Sequence, residues 1–96
     1  MQRQHLLAVA LLAALLGALL APAAALAWGE VRAAKSDLNV RAKRSPTAEI
    51  VTSLKAGDKI RVDFREGDWV AVFPLDQQAR DLTKAVGFVN AKYLGG

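Results

Sequence analysis

The chain contains no cysteine, and its single histidine, His5, stands close to the start. Without cysteine no disulfide can staple the fold, and there is no thiol nucleophile. With neither Cys nor His beyond residue 5, a Cys–His or Ser–His–Asp arrangement cannot be assembled. Zinc held by nitrogen or sulfur ligands is excluded on the same inventory. The carboxylates Asp58, Asp63, Glu66, Asp68, Asp76 and Asp81 fall in polar turns or on the wet face of an alternating strand. They give no facing pair with one raised pKa, the arrangement glycoside hydrolysis needs. No enzymatic activity and no cofactor are expected. Aromatics are also scarce, at 6%, so each ring has to be accounted for. A long 3.6-residue periodicity is missing everywhere after residue 27.

Of the features present, the first is an apolar start. M-Q-R-Q-H precedes L-L-A-V-A-L-L-A-A-L-L-G-A-L-L, Leu6 to Leu20, and then come Pro22 and A-A-A-L-A. A basic beginning, a short apolar core, a breaker and small residues at Ala25 and Ala27 form the pattern that signal peptidase reads. The expectation is a helical signal peptide over residues 1–27, cut between Ala27 and Trp28. The alternative is a retained anchor over Leu6–Trp28, a length of 23 residues against the roughly 20 a spanning helix needs. Pro22 and the end of the strongly apolar part at Leu20 favour cleavage. Membrane contact is expected only if the segment stays uncleaved. Export to the periplasm or the cell wall and exterior follows.

Residues 28–96 then form one domain, with twelve basic side chains (Arg3 being lost) against nine acidic. That balance is too weak to argue for nucleic acid. Short runs of period two dominate this part. In K-I-R-V-D-F-R, Lys59 to Arg65, the residues Ile60, Val62 and Phe64 point one way and Arg61 and Asp63 the other, as in a half-buried strand. Glu66-Gly67-Asp68 joins it to W-V-A-V-F, which reads as a β-hairpin. V-R-A-A, D-L-N-V-R, I-V-T-S-L and A-V-G-F-V are further strand candidates, with the Ala42–Glu49 stretch as a loop. Pro74–Lys84 is a long connection whose Leu75, Ala79 and Leu82 permit a helical turn or two. Five to six short strands predict an all-β fold, a small barrel. The apolar tail Gly87–Leu94 is expected to return and pair with the first strands, because an open sheet this small would leave sticky edges.

Several of these stretches, in this order, resemble the bacterial SH3 domain, SH3b: L-N-V-R (Leu38–Arg41), I-V-T-S-L-K-A-G-D-K-I-R-V (Ile50–Val62), G-D-W-V-A-V (Gly67–Val72) and G-F-V-N-A-K-Y-L (Gly87–Leu94). The resemblance implies an SH3-like barrel with a binding role in the cell envelope, toward peptidoglycan peptides among other ligands. Two departures lie in loops. Lys43-Arg44 stands where the family often has Gly-Pro, and Pro74–Lys84 replaces a short turn.

By position, Trp69 and Tyr93 correspond to the aromatic pair that lines the peptide groove of the wider SH3 fold. Packing beneath a loop is the other reading of Trp69. Arg41, Lys43 and Arg44 form a basic cluster beside that groove, either a solvated loop or an attractor of anionic polymers. Phe88 is a candidate for the same edge and for the core. The expected ligand is an extended peptide or cell-envelope polymer such as peptidoglycan. The alternative is a structural or adaptor role, docking an exported protein through the aromatic face or the 74–84 loop.

Overall fold

The computed structural model describes residues 27–96; the expected signal segment, residues 1–26 of it, lies outside them. Seven strands follow in chain order: β1 (Glu30–Ala34), β2 (Leu38–Arg41), β3 (Ile50–Leu54), β4 (Lys59–Glu66), β5 (Trp69–Phe73), β6 (Gly87–Asn90) and β7 (Leu94–Gly95). Two 3₁₀ turns, Leu82–Lys84 and Ala91–Tyr93, complete the regular structure. The all-β fold is as expected, with seven strands rather than five to six. The extra one is the two-residue β7.

All pairs are antiparallel, in the order β3-β2-β6-β5-β4-β1-β7. The sheet curls so that both of its ends reach one core. Val40 of β2, Ile60 and Val62 of β4, Val70 and Val72 of β5, Val89 of β6 and Leu94 of β7 form that single cluster. Leu38 and Leu54 pack on its rim. β-Branched residues suit these positions because they fill a pleated, half-buried surface. The tail closes the fold as its apolar residues require. Leu94 pairs with Ala34, Phe88 pairs with Arg41, and the Lys35 amide donates to the Tyr93 carbonyl at 3.0 Å.

Gly67 and Gly87 are required for different reasons. Gly67 has φ +61° in the β4–β5 turn, a left-handed conformation that side chains disfavour. Gly87 instead lies where β6 crosses β2, and a Cβ there would sit 2.5 Å from the Arg41 carbonyl oxygen.

One alternation breaks. Phe64 does not join Ile60 and Val62 in the core. The β4–β5 register runs Asp63↔Ala71 and then Glu66↔Trp69, so Phe64 and Arg65 together face Val70 in a β-bulge. Phe64 takes φ +55°, and its amide donates to its neighbour Asp63 Oδ1 at 2.6 Å. The bulge turns the ring to the outer face, where it lies 6.0 Å from Phe73.

That outer face decides where a site can be. Register places Arg61 beside Phe73, Ala71 beside both Asp63 and Phe88, and Trp69 beside Asn90. Its Phe73 half is roofed over. Trp28 meets Phe73 edge-on, with centroids 5.0 Å apart at 88°, and Phe73 is fully buried. The 74–84 segment supplies the rest of the roof. The Trp28 indole donates to the Gln78 carbonyl at 2.9 Å. Arg61, only 8% exposed, donates to the Trp28 carbonyl at 2.9 Å and makes a long 3.5 Å contact to that of Leu75. Arg80 forks onto Asp63 at 2.9 and 3.2 Å while its guanidinium lies 4.2 Å over the Phe64 ring. Pro74–Lys84 is thus tied down as a cover, and its helical spacing yields one 3₁₀ turn, started by Asp81, whose carboxylate accepts the Thr83 amide.

Candidate functional site

The other half of the outer face has no roof. Trp69 opens β5, directly after the Gly67 turn, so its indole projects on the outer side at the end of the sheet. Opposite it on β6 is Asn90, whose side-chain oxygen accepts the Lys92 amide at 3.1 Å and starts the turn that carries Tyr93. The Ala91 amide also donates to the Asp68 carbonyl at 2.7 Å. These bonds lock the Tyr93 turn to the β4–β5 turn and hold the two aromatic residues on one surface.

Trp69 and Tyr93 line one groove of about 400 Å³ with Arg41, Pro46, Asn39 and Asp37, among others. Trp69 is half-buried and Tyr93 is 43% exposed. Two accessible rings flanking a proline make a surface of large contact area and few rotatable bonds, suited to an extended chain. Asn39, Asn90 and the Tyr93 hydroxyl give polar groups along it, which can fix the register of a peptide backbone.

The charged residues are arranged differently from their order in the sequence. Arg41 does line the groove, but its Nη1 donates to the Ala48 carbonyl at 3.0 Å. That bond pins the 42–49 loop as a wall of the groove. Lys43 is exposed and lies outside the groove. Arg44 turns to the middle of the outer face. It lies 4.4 Å over the Phe88 ring, pairs with Glu66 at 3.2 Å and donates to the Phe64 carbonyl at 3.3 Å. Phe88 therefore stands beneath Arg44, neither in the groove nor in the core cluster. The reason is register: Phe88 faces Ala71 rather than Trp69, two pairs further from the open end. So the structure brings together Trp69, Tyr93 and Arg41, and sets Lys43, Arg44 and Phe88 apart.

Pro46, Asn39, Asp37 and Lys92 were not singled out as lining residues by sequence alone. Lys92 could have been, since it precedes Tyr93 in the same turn; its ammonium lies 5.0 Å over that ring. The position of Pro46 depends on how the 42–49 loop folds back, which no local pattern specifies.

The shifted titrating groups lie away from the groove. The Arg80 hydrogen bonds hold the Asp63 carboxyl below its ordinary 3.8, helped by the Phe64 amide and opposed by partial burial. Asp63 in turn raises Arg80. Hydrogen bonds from Thr83 likewise lower Asp81. All three shifts come from bonds that shape the roof, so they mark a structural network.

A short-stranded sheet curled around a valine core, with an aromatic groove between its first long loop and its last turn, is an SH3-like barrel. The sequence profile described as "Bacterial SH3 domain" matches residues 36–95, and the chain belongs to that family, a family of binding modules. Comparison with curated proteins finds no match.

Proposed function

We propose that this protein is an exported, non-catalytic binding module whose Trp69–Tyr93 groove takes an extended peptide of the cell envelope, with peptidoglycan stem peptides as the leading class. The observation that carries the reading is the pairing of two accessible rings on one rigid surface, while the neighbouring Phe73 is sealed. The 74–84 segment seals Phe73, whereas Trp69, four residues earlier on the same strand, is left half-buried beside the exposed Tyr93. Family membership supports a binding role in general, and the signal-like start of the chain supports export.

Insoluble peptidoglycan should retain the protein, and Trp69→Ala or Tyr93→Ala should each release most of it while the folded spectrum is kept. Retention unchanged in both variants would overturn the reading. The adaptor alternative would show instead as a partner lost on substitution of the exposed Leu75 and Leu82. Mass spectrometry of the cell-envelope fraction tests export: a mass beginning at Trp28 is expected, and one beginning at Met1 would make this an anchored protein.

A further inference from the structure

Resting on that reading of the groove, we propose that its peptide ligand carries a carboxylate, received by a cationic cleft that continues the groove past the Ala91–Tyr93 turn. Asn90 and Lys92 are walls of both cavities. Beyond them the second cleft, about 420 Å³, is lined by Arg32, Arg65, Asp68 and Ala91. Three cations thus face a single carboxylate.

The three cations differ in how free they are. Arg32 is committed: its guanidinium donates to the Gly95 and Leu94 carbonyls at 2.9 and 3.2 Å and pairs with Glu30 at 3.2 Å. It supplies fixed positive charge and holds β7 in place. Arg65 uses only Nε, toward the Gly67 carbonyl at 2.9 Å, and makes no ion pair among the described residues. Its two terminal nitrogens are available, and their planar fork fits a carboxylate with two parallel hydrogen bonds. Lys92 likewise makes no ion pair among the described residues.

The aromatic groove itself is different. Arg41 and Asp37 balance each other in charge along it, Arg41 donating to the Ala48 carbonyl and Asp37 accepting the Ala56 amide at 3.0 Å. Net positive charge is therefore greater at the cleft end of the track. A peptide laid on Trp69 and Tyr93 would be oriented by that asymmetry, its acidic end over Arg65. This assigns the electrostatic role to Arg65 and Lys92 rather than to Lys43 and Arg44.

The test uses protein recovered from expression of the full chain, titrated with a stem-peptide fragment bearing free carboxyl groups and with the same fragment amidated. The acidic form should bind about fivefold more tightly at low salt, the upper range for an exposed pair, with the gap closing as salt screens it. Arg65→Ala should close most of the gap by weakening the acidic fragment selectively, and Arg65→Lys should keep more of it. A merely structural role for Arg65 would weaken both fragments alike. Equal binding of the two fragments to the unaltered protein, or a gap undiminished in Arg65→Ala, overturns the proposal while the groove stands. Failure of both fragments to bind overturns the groove reading and this proposal with it.

Discussion

Trp69 and Phe73 stand four residues apart on β5 and project from the same face, yet they meet opposite fates. Phe73 is fully buried beneath Trp28 and beside Phe64, under the 74–84 segment. Trp69 looks out over a groove. Alternation along a strand says which face a side chain takes and says nothing of what lies above it. Cover is a tertiary property, here supplied by a segment that starts immediately after the strand ends. The comparison teaches that this domain has a second, smaller core on its outer face, and that the binding surface is what that core leaves uncovered.

The largest expected effect comes from opening the covered half. Phe73→Ala should lower stability by about 3–5 kcal/mol, as removal of a buried ring does, measured by urea unfolding. Trp69→Ala should cost less, about 1–2 kcal/mol, as for a half-buried ring. If the two cost the same, the division of the face into core and groove is wrong. Next is Trp28→Ala, expected to cost about 2 kcal/mol because a half-buried indole and its bond to Gln78 are lost. Amide exchange should then quicken across residues 74–84 and leave β2 and β3 unchanged.

A smaller effect concerns pH. Asp63 and Asp81 titrate lower in the folded protein than their ordinary 3.8. Their stabilisation is complete above that value and is lost as pH falls below it through the folded pKa. Thermal unfolding should therefore show stability falling below about pH 4, and Asp63→Asn should flatten part of that slope. A slope identical in the variant would remove Asp63 from the network that ties down the roof. The smallest effect is expected of Lys43→Ala, which should leave stability unaltered and binding nearly so, since Lys43 lies outside the groove.

Much of this fold was legible from local pattern. The strands from β1 to β6 fall close to where period-two runs and turn residues put them, and the apolar tail seals the barrel as its composition demands. The aromatic half of the site was legible too, through the position of Trp69 after its acidic-glycine turn and of Tyr93 in the last turn. Phe64 was not, because K-I-R-V-D-F-R alternates without a flaw while the bulge is set by how β4 meets β5. Nor was the parting of Arg41 from Arg44. They are three residues apart, Arg41 ending β2 and Arg44 in the loop that follows, and only the fold of that loop sends one to the groove and the other onto Phe88. Arg65 and Lys92 are far apart in sequence and become neighbours only because the Tyr93 turn docks on the β4–β5 turn.

The central claim is that the uncovered rings are the binding surface. A titration of the isotopically labelled protein with stem-peptide fragments, followed by NMR, tests it most directly. The account predicts that the shifted signals gather at the Trp69 indole, Tyr93 and the 42–49 loop, with residues 74–84 silent. Shifts confined to the 74–84 segment, or no shifts at any ligand concentration, would contradict it.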